Sequence, residues 1–167
     1  MKNTNLYDPK VHTLMVNEKE VSAVEYGLIQ AKRKYYPRHK VCDSNSSNEF
    51  IRQIPYVQES LEVNEIFGIL LLNRANFVTG YKIISHGGTA GTVVDAKIVA
   101  KYAIDTLSSA IILWHNHPTG NLVPSSSDIT LTKRIQGALK LFDITMLDHL
   151  IIVRNNEYYS FTDNGTI

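Results

Sequence analysis

Two histidines, a serine and an aspartate lie close together in HNHPTGNLVPSSSD, residues 115–128. His115 and His117 follow a short apolar run, and side chains two apart at the end of a strand point to the same side. Imidazole nitrogen is a standard ligand of Zn²⁺, and a catalytic zinc uses three protein ligands with one open position. Asp128 is the candidate third ligand, because the intervening proline and glycine can turn the chain back. The pattern predicts a His₂Asp site typical of hydrolytic zinc centres, with water as the fourth ligand.

Ser125 lies three residues before Asp128, at the predicted start of a helix. A hydrolytic site needs a base that takes a proton from water and a donor that stabilises the oxyanion. The Ser125 hydroxyl is the candidate donor, and the base must come from elsewhere in the chain. The same Ser-x-x-Asp spacing is typical of a capping box, so Ser125 could simply cap the helix and Asp128 could serve only the helix dipole. Neither alternative explains the two histidines, which favour the metal site.

The apolar pattern from residue 65 onward predicts alternating strands and helices. The predicted elements are strands 65–73 and 77–85 around a turn at 73–76, helix 93–107, strand 110–114, helix 127–141, and strands 149–153 and 158–161 around a turn at 154–157. The first two strands should form a hairpin. One face of the first helix is predicted to carry Val94, Ile98, Tyr102 (or Ala103) and Leu107. The order β-β-α-β-α-β-β indicates an α/β (α+β) fold with a mixed β-sheet flanked by helices.

Residues 1–48 differ in character and are predicted to be an N-terminal extension and linker, followed by the main domain at 49–167. Ser46 and Glu49 have capping-box spacing, so a short helix is predicted from Glu49 and disturbed by a proline at 55. Residues 20–30 fit a strand or a helix. The basic segment KRKYYPRHK, residues 32–40, is either a solvated surface or a nucleic-acid contact in which basic groups bind phosphates and tyrosines stack on bases.

Composition and charge limit the class of protein. The chain has 167 residues, which suggests one domain with a proper core, and its net charge of +1 gives no overall attraction to nucleic acid or anionic membranes. The single cysteine, Cys42, excludes an internal disulfide and fits a reducing compartment. The first ten residues lack the apolar core of a signal peptide, and the longest apolar run, 66–72, is too short to span a bilayer. We expect a cytoplasmic protein without membrane partners.

The full spacing pattern resembles a known motif. His-x-His, seven residues, then Ser-x-x-Asp, with a glutamate upstream at the start of a buried strand, is similar to the JAMM motif of JAB1/MPN-type metalloproteases. Four segments resemble the bacterial RadC-like branch of that family: EIFGILLLNRANFV, the GGT of residues 87–89, HNHPTGNLVPSSSD and MLDHLIIV. The resemblance extends from residue 65 to the C-terminus, and its order of elements agrees with the predicted one.

The resemblance implies a JAB1/MPN (cytidine-deaminase-like) architecture, with residues 49–167 as the catalytic domain. His115, His117 and Asp128 would then bind one zinc ion. Glu65 would be the general base acting on the zinc-bound water, and Ser125 would stabilise the oxyanion. The implied reaction is hydrolysis of a peptide or isopeptide bond in a peptide or protein substrate.

The chain departs from the family in ways that bear on function. RadC-like proteins of full length carry an N-terminal helix-hairpin-helix-like segment, whereas residues 1–50 lack its Gly-x-Gly signature. Relatives that cut ubiquitin chains use insertions for which this chain has little room. The alternative function is a RadC-like, DNA-repair-associated accessory module with a structural or inactive metal site, but all five motif positions are filled. A zinc nucleobase deaminase is excluded, because it needs a Pro-Cys-x-x-Cys segment and the chain has one cysteine.

Four further features near the motif have no assigned chemistry. His149 is expected under the sheet or beside a metal ligand, not on the metal. Asp148 could accept a hydrogen bond from a ligating imidazole, or it could lie in a turn or in solvent. His86 is expected in a loop at the rim of the cleft. The GGTAG run, residues 87–91, lacks the following Lys-Ser/Thr of a phosphate loop and is predicted to be a flexible cleft wall.

Overall fold

A computed structural model describes residues 10–16, 19–25, 39–87 and 94–167. The chain divides into two compact units, Met1–Tyr36 and Pro37–Ile167. In the first unit, β1 (Lys10–Val16) pairs antiparallel with β2 (Lys19–Glu25), so the ambiguous segment 20–30 is a strand as far as residue 25. The assignment of residues 1–48 to an extension and 49–167 to a catalytic domain stays a prediction.

The second unit contains a five-stranded sheet. Its strands are β3 (Ile66–Leu72), β4 (Val78–His86), β5 (Ala110–Asn116), β6 (Thr145–Ile152) and β7 (Tyr158–Ser160), in the spatial order β4-β3-β5-β6-β7. Only the β5–β6 pair is parallel, and the other three pairs are antiparallel. Within residues 39–87 and 94–167, four helices accompany the sheet: α1 (Ser44–Arg52), α2 (Val57–Ser60), α3 (Ala96–Asp105) and α4 (Ser126–Lys140). The predicted α+β fold and its element order are confirmed.

Helices cover both faces of the central strands. Alternate residues of β3 face opposite sides, so Ile66, Leu70 and Leu72 join the core beneath α1 and α2, and Phe67, Ile69 and Leu71 join the core beneath α3 and α4. Every residue of β3 and β5 is buried as a result. Gly68 makes room for the indole of Trp114 on the neighbouring strand, since a Cβ there would lie 2.2 Å from the ring. The predicted hairpin between β3 and β4 and its turn at 73–76 are confirmed.

The predicted start of α1 is wrong. The helix begins at Ser44 and not at Glu49, because the Asp43 carboxylate accepts the Ser46 amide at 2.7 Å and the Ser46 hydroxyl accepts the Asp43 amide at 3.1 Å. The capping box is therefore Asp43–Ser46, three residues earlier than the predicted one. Residues 44–48 belong to the helix and not to a linker.

The predicted face of α3 is correct only in part, because Val94 and Ala103 are buried and Ile98 and Leu107 are not. Its buried residues are Ala96, Val99 and Ala103, whereas Ile98 is 43% exposed and Leu107, which follows the helix, is 73% exposed. The Asp95 side chain caps the helix by accepting the Lys97 amide, and this sets where the helix begins. Small side chains then face the sheet, and two larger apolar ones face away from it.

None of the helices in the described ranges is long and apolar enough to cross a membrane.

Candidate metal centre

Strand β5 and helix α4 bring the three predicted ligands together. His115 lies near the end of β5, His117 follows the strand, and Asp128 lies in the first turn of α4. The Nε2 atoms of the two histidines are 3.0 Å apart. Asp128 Oδ1 lies 3.6 Å from His115 Nε2, and Asp128 Oδ2 lies 3.7 Å from His117 Nε2. One ligand atom from each residue therefore lies within 4.8 Å of the other two, so the three residues could hold a metal ion.

The donor set and its spacing fit zinc. Ligand atoms about 2.0–2.1 Å from a tetrahedral zinc lie about 3.3–3.4 Å from one another. The two histidine nitrogens are 3.0 Å apart, and each has a different oxygen of Asp128 within 3.7 Å, so a small adjustment of the carboxylate would complete the set. His117 Nδ1 must donate to the backbone oxygen of Asn121 at 2.6 Å, because a carbonyl only accepts. Neutral His117 therefore carries its lone pair on Nε2, 3.0 Å from the Nε2 of His115. Two facing lone pairs repel, so a contact this short needs a hydrogen on one of the two nitrogens or a metal ion between them.

The loop and the helix start hold Asp128 in place. The Ser125 side chain caps α4 by accepting the Asp128 amide at 3.1 Å. In return, Asp128 Oδ2 accepts the Ser125 amide at 2.8 Å and the Ser125 hydroxyl at 2.6 Å. The predicted capping box is thus present, and it aims the carboxylate at the histidines. The Ser125 hydroxyl must rotate away from Asp128 before it can donate to another oxygen.

Glu65 directly precedes β3 and interacts electrostatically with two residues of the triad. Burial raises the pKa of its carboxyl group; the His117 charge lowers that pKa and the Asp128 charge raises it, so Glu65 is electrostatically coupled to both residues. A carboxylate with a raised pKa accepts a proton more readily than an ordinary surface glutamate. Its backbone oxygen accepts the Gly87 amide at 2.7 Å, which fixes the chain at the start of the strand.

Asn116, between the two histidines, supports the site but is not part of any motif recognised in the sequence. Its side chain is fully buried, and its Oδ1 accepts the amide of Ile66 at 2.8 Å. Its Nδ2 donates to the backbone oxygens of Ser60 and Asn64, each at 3.0 Å. Asn116 therefore holds the backbone on both sides of Glu65. No local pattern could reveal this, because the partners are about 50 residues away along the chain.

The two histidines have opposite electrostatic surroundings. Burial is the largest influence on His115 and lowers its pKa from 6.5 to about 4. Asp128 raises the pKa of His117, and desolvation opposes this only in part. Burial raises the pKa of Asp128, but contacts with His117, His115 and Ser125 outweigh it and hold the pKa well below the usual range. His115 is thus kept neutral, while Asp128 is kept ionised beside a readily protonated His117.

His149 lies beside a predicted ligand and not on the metal position, as expected. It is fully buried, and its Nε2 lies 2.8 Å from His115 Nδ1. The alternatives for Asp148 are wrong: it is buried in β6 and accepts the Ser160 hydroxyl at 2.6 Å and the amide of Thr162 at 3.0 Å, which ties down the C-terminal segment.

The remaining candidates are only partly described. His86 is exposed, but it ends β4 instead of lying in a loop. Cys42 is exposed and free. Most of the predicted cleft wall, residues 88–91, and of the basic segment, residues 32–38, lies outside the described ranges. The predictions for these two segments therefore stay predictions.

The second unit is thus a mixed α+β sheet domain that carries a His-His-Asp triad able to hold a metal ion and a glutamate coupled to it. A family model described as "RadC-like JAB domain" matches residues 45–166. The chain belongs to this family, and the resemblance seen in its sequence is confirmed.

Bacterial relatives support the same assignment. The chain is 38% identical over 145 residues to a UPF0758 protein of Flavobacterium johnsoniae, covering 87% of this chain and 61% of that protein. It is 41% identical over 147 residues to a UPF0758 protein of Alkaliphilus metalliredigens, covering 87% and 60%. A third, from Cellvibrio japonicus, is 35% identical over 151 residues, covering 90% and 66%. The chain thus spans about three fifths to two thirds of these relatives, and their names state no activity.

Proposed function

We propose that this protein is a zinc-dependent metallohydrolase that cleaves a peptide or isopeptide bond. The observation that carries the proposal is the triad itself: ligand atoms of His115, His117 and Asp128 all lie within 4.8 Å of one another. Glu65, a carboxylate with a raised pKa, is coupled to the same triad. A metal ligand set beside a proton acceptor is the minimum that hydrolysis of an amide requires.

Each residue has a defined part in the proposed reaction. His115 and His117 offer Nε2, and Asp128 offers a carboxylate oxygen, to one zinc ion. Bound zinc would lower the pKa of water toward about 7 and polarise the scissile carbonyl. The carboxylate of Glu65 takes the proton of the attacking water and passes it to the leaving amine. The Glu65 carboxyl is thus a base in the first step and an acid in the second.

Ser125 is proposed to donate its hydroxyl hydrogen to the oxyanion. That hydrogen is directed to Asp128 Oδ2 at 2.6 Å, so the donation requires rotation about the Cβ–Oγ bond. The helix cap does not oppose this, because capping uses the serine oxygen as an acceptor for the Asp128 amide. One side chain can therefore cap α4 and stabilise developing charge.

The substrate is proposed to be a peptide or a protein, bound where the triad opens beside Glu65. A cytoplasmic location belongs to the same proposal, since a chain with a single cysteine suits a reducing compartment. A non-catalytic, DNA-associated module with a structural metal is the competing function. It predicts bound metal without turnover, and nucleic-acid binding that depends on residues 32–40.

Metal content and hydrolysis test the proposal together. Zinc per chain is measured by elemental mass spectrometry on protein purified without chelator or metal affinity resin, alongside His117→Ala and Asp128→Ala. Asp105→Ala, which removes a partly exposed aspartate that pairs with Lys101 at the end of α3, is the matched control. We expect about one zinc per chain in the wild type and the control and none in the two ligand variants. A folded wild type that takes up no added zinc would refute the metal site.

Turnover is then measured on peptide and isopeptide libraries with the zinc-loaded protein. Cleavage that is lost in Asp128→Ala and kept in Asp105→Ala supports the enzyme. Stoichiometric zinc without cleavage, together with nucleic-acid binding that is lost when the lysines and arginines of residues 32–40 are replaced, would favour the accessory module.

A further inference from the structure

A chain of buried hydrogen bonds runs behind the proposed metal position. His115 Nδ1 lies 2.8 Å from His149 Nε2, and His149 Nδ1 lies 2.6 Å from Thr132 Oγ1. The Thr132 hydroxyl donates to the backbone oxygen of Asp128 at 2.5 Å. His149 and Thr132 are fully buried, and His115 is 1% exposed. The chain thus begins at one proposed ligand, on β5, and ends at another, on α4.

The last acceptor in this series of hydrogen bonds, the backbone oxygen of Asp128, determines the direction of every hydrogen bond in the series. A backbone carbonyl only accepts, so the single hydrogen of the Thr132 hydroxyl is used on Asp128. Thr132 Oγ1 can then only accept from His149, which places the His149 proton on Nδ1. His149 is fully buried and therefore neutral, so its Nε2 carries a lone pair and accepts from His115. The His115 proton is thus on Nδ1, and its lone pair is on Nε2.

We propose that Thr132 and His149 are positioning residues that hold His115 as the tautomer whose Nε2 lone pair faces the metal position. The inference rests on the proposed metal site, but it concerns the metal-free protein as well. Without the two residues, buried His115 could carry its proton on either nitrogen, and zinc would have to select the correct form. With them, the His115 tautomer that can bind a metal ion is already present in the metal-free protein.

Aromatic rings fix the orientation of the two imidazoles. His149 stacks on Phe161, with ring centroids 4.5 Å apart and planes at 19°. Phe67 contacts both imidazoles, meeting His149 edge-on at 5.6 Å and stacking with His115 at 6.1 Å. All four side chains are buried. Rotation of either imidazole would break both a hydrogen bond and a ring contact. The hydrogen bonds that join His115, His149 and Thr132, which we call the relay, therefore keep the same orientation in the metal-free state.

Helix α4 supplies a matched pair of threonines for the test. Thr132 and Thr130 both donate to the carbonyl four residues earlier, but Thr130 is exposed and bonds Ser126 at 2.8 Å. Thr132→Val removes the acceptor for His149 while keeping the shape of the side chain. Thr130→Val makes the same change without touching the relay, and Thr132→Ser restores the hydroxyl.

Two measurements test whether Thr132 and His149 determine the tautomer of His115. Long-range ¹H–¹⁵N NMR of the metal-free protein reports which ring nitrogen of each histidine carries the proton. Competition with a chromogenic chelator gives the zinc dissociation constant. We expect protons on Nδ1 of His115 and His149 in the wild type, and a mixture in Thr132→Val with zinc affinity about 10–100-fold lower. Thr130→Val and Thr132→Ser should resemble the wild type in both measurements.

Three outcomes would overturn the inference. One is a wild-type His115 protonated on Nε2, which needs no variant to detect. Another is a folded Thr132→Val with unchanged tautomers and zinc affinity. The third applies if Thr132→Val does not fold: it is unchanged zinc affinity in a folded His149→Phe, which keeps an aromatic ring on Phe161. A wild type that binds zinc and shows the expected tautomers but cleaves no peptide would refute the proposed function alone.

Discussion

His115 and His117 are two residues apart and aim at one position, yet they lie in two different regions of the site. His115 belongs to a buried region made of β5, β6 and the inner face of α4, where its neighbours are His149 and Phe67. His117 belongs to an open region with Glu65, Ser125 and the start of α4. Burial lowers the pKa of His115 to about 4, whereas Asp128 raises that of His117.

The difference separates two tasks of a hydrolytic metal site. A ligand in the buried region keeps one protonation state because water cannot reach it, which favours a stable geometry. Groups in the open region can exchange protons with water and substrate, which general acid–base chemistry requires. Asp128 joins the two regions, because its carboxylate faces both histidines. The predictions below test this division.

Replacement of the base in the open region should have the largest effect. Glu65→Gln keeps the size of the side chain and removes no metal ligand, so we expect zinc content to be unchanged and hydrolysis to fall about 10²–10⁴-fold. Glu62→Gln is the control, since Glu62 is an exposed acid that pairs with Arg154 at 2.5 Å. Steady-state hydrolysis rates of the wild type and both variants on a validated substrate measure this effect. Full activity in Glu65→Gln would mean that another group is the base.

The buried region should control the acid stability of the metal-free protein. The folded pKa of His115, about 4, is below the ordinary value of 6.5, so the unfolded chain takes up a proton at His115 between these pH values and the folded protein does not. His115 by itself therefore contributes a loss of stability of about 3 kcal/mol as the pH falls from 6.5 to 4. Urea unfolding at a series of pH values, with chelator present, should show this loss in the wild type and a smaller one in His115→Gln. If the free energy of unfolding fell equally with pH in the wild type and in His115→Gln, the lowered pKa of His115 would be contradicted.

Asn116 should connect the two regions. Asn116→Ala leaves the buried Ile66 amide without its acceptor and frees the backbone beside Glu65, so we expect a loss of about 1–3 kcal/mol in the free energy of unfolding and slower hydrolysis. Asn73→Ala is the comparison, because Asn73 accepts two backbone amides at the opposite end of β3. That variant should lose stability without losing rate per folded molecule. Equal rate losses in both variants would remove the special role of Asn116.

Zinc and a proton should compete in the open region. His117 has a raised pKa, so below that pKa zinc must displace a proton, and its affinity should fall by up to about tenfold per pH unit. The charge of Glu65 contributes to the raised pKa, so Glu65→Gln should move the onset of this loss to lower pH. Chelator competition across the pH range measures both effects. An identical onset in the two proteins would show that Glu65 does not influence His117.

The elements and the ligand triad could be predicted because their signals are local. Continuous apolar runs identified β3 and β5, and the Ser125–Asp128 spacing fixed the first turn of α4. The start of α1 was missed because two capping boxes overlap in sequence, and Asp43–Ser46 forms instead of Ser46–Glu49. The face of α3 was predicted only in part, because helical spacing alone does not say which side meets the sheet. In both places the local sequence was compatible with two structures, namely two helix starts for α1 and two buried faces for α3.

The sequence by itself determined the order of elements, the zinc-type donor set and the helix cap that aims Asp128. It could not determine the partners of those donors. Parallel pairing of β5 with β6 sets Leu113 opposite His149, and this register brings the His149 ring to His115, 34 residues away. Contact between β3 and β5 likewise brings Asn116 to the backbone beside Glu65. Residue spacing fixes what lies within one turn or one strand, but contacts across strands depend on register, which only the packed core selects.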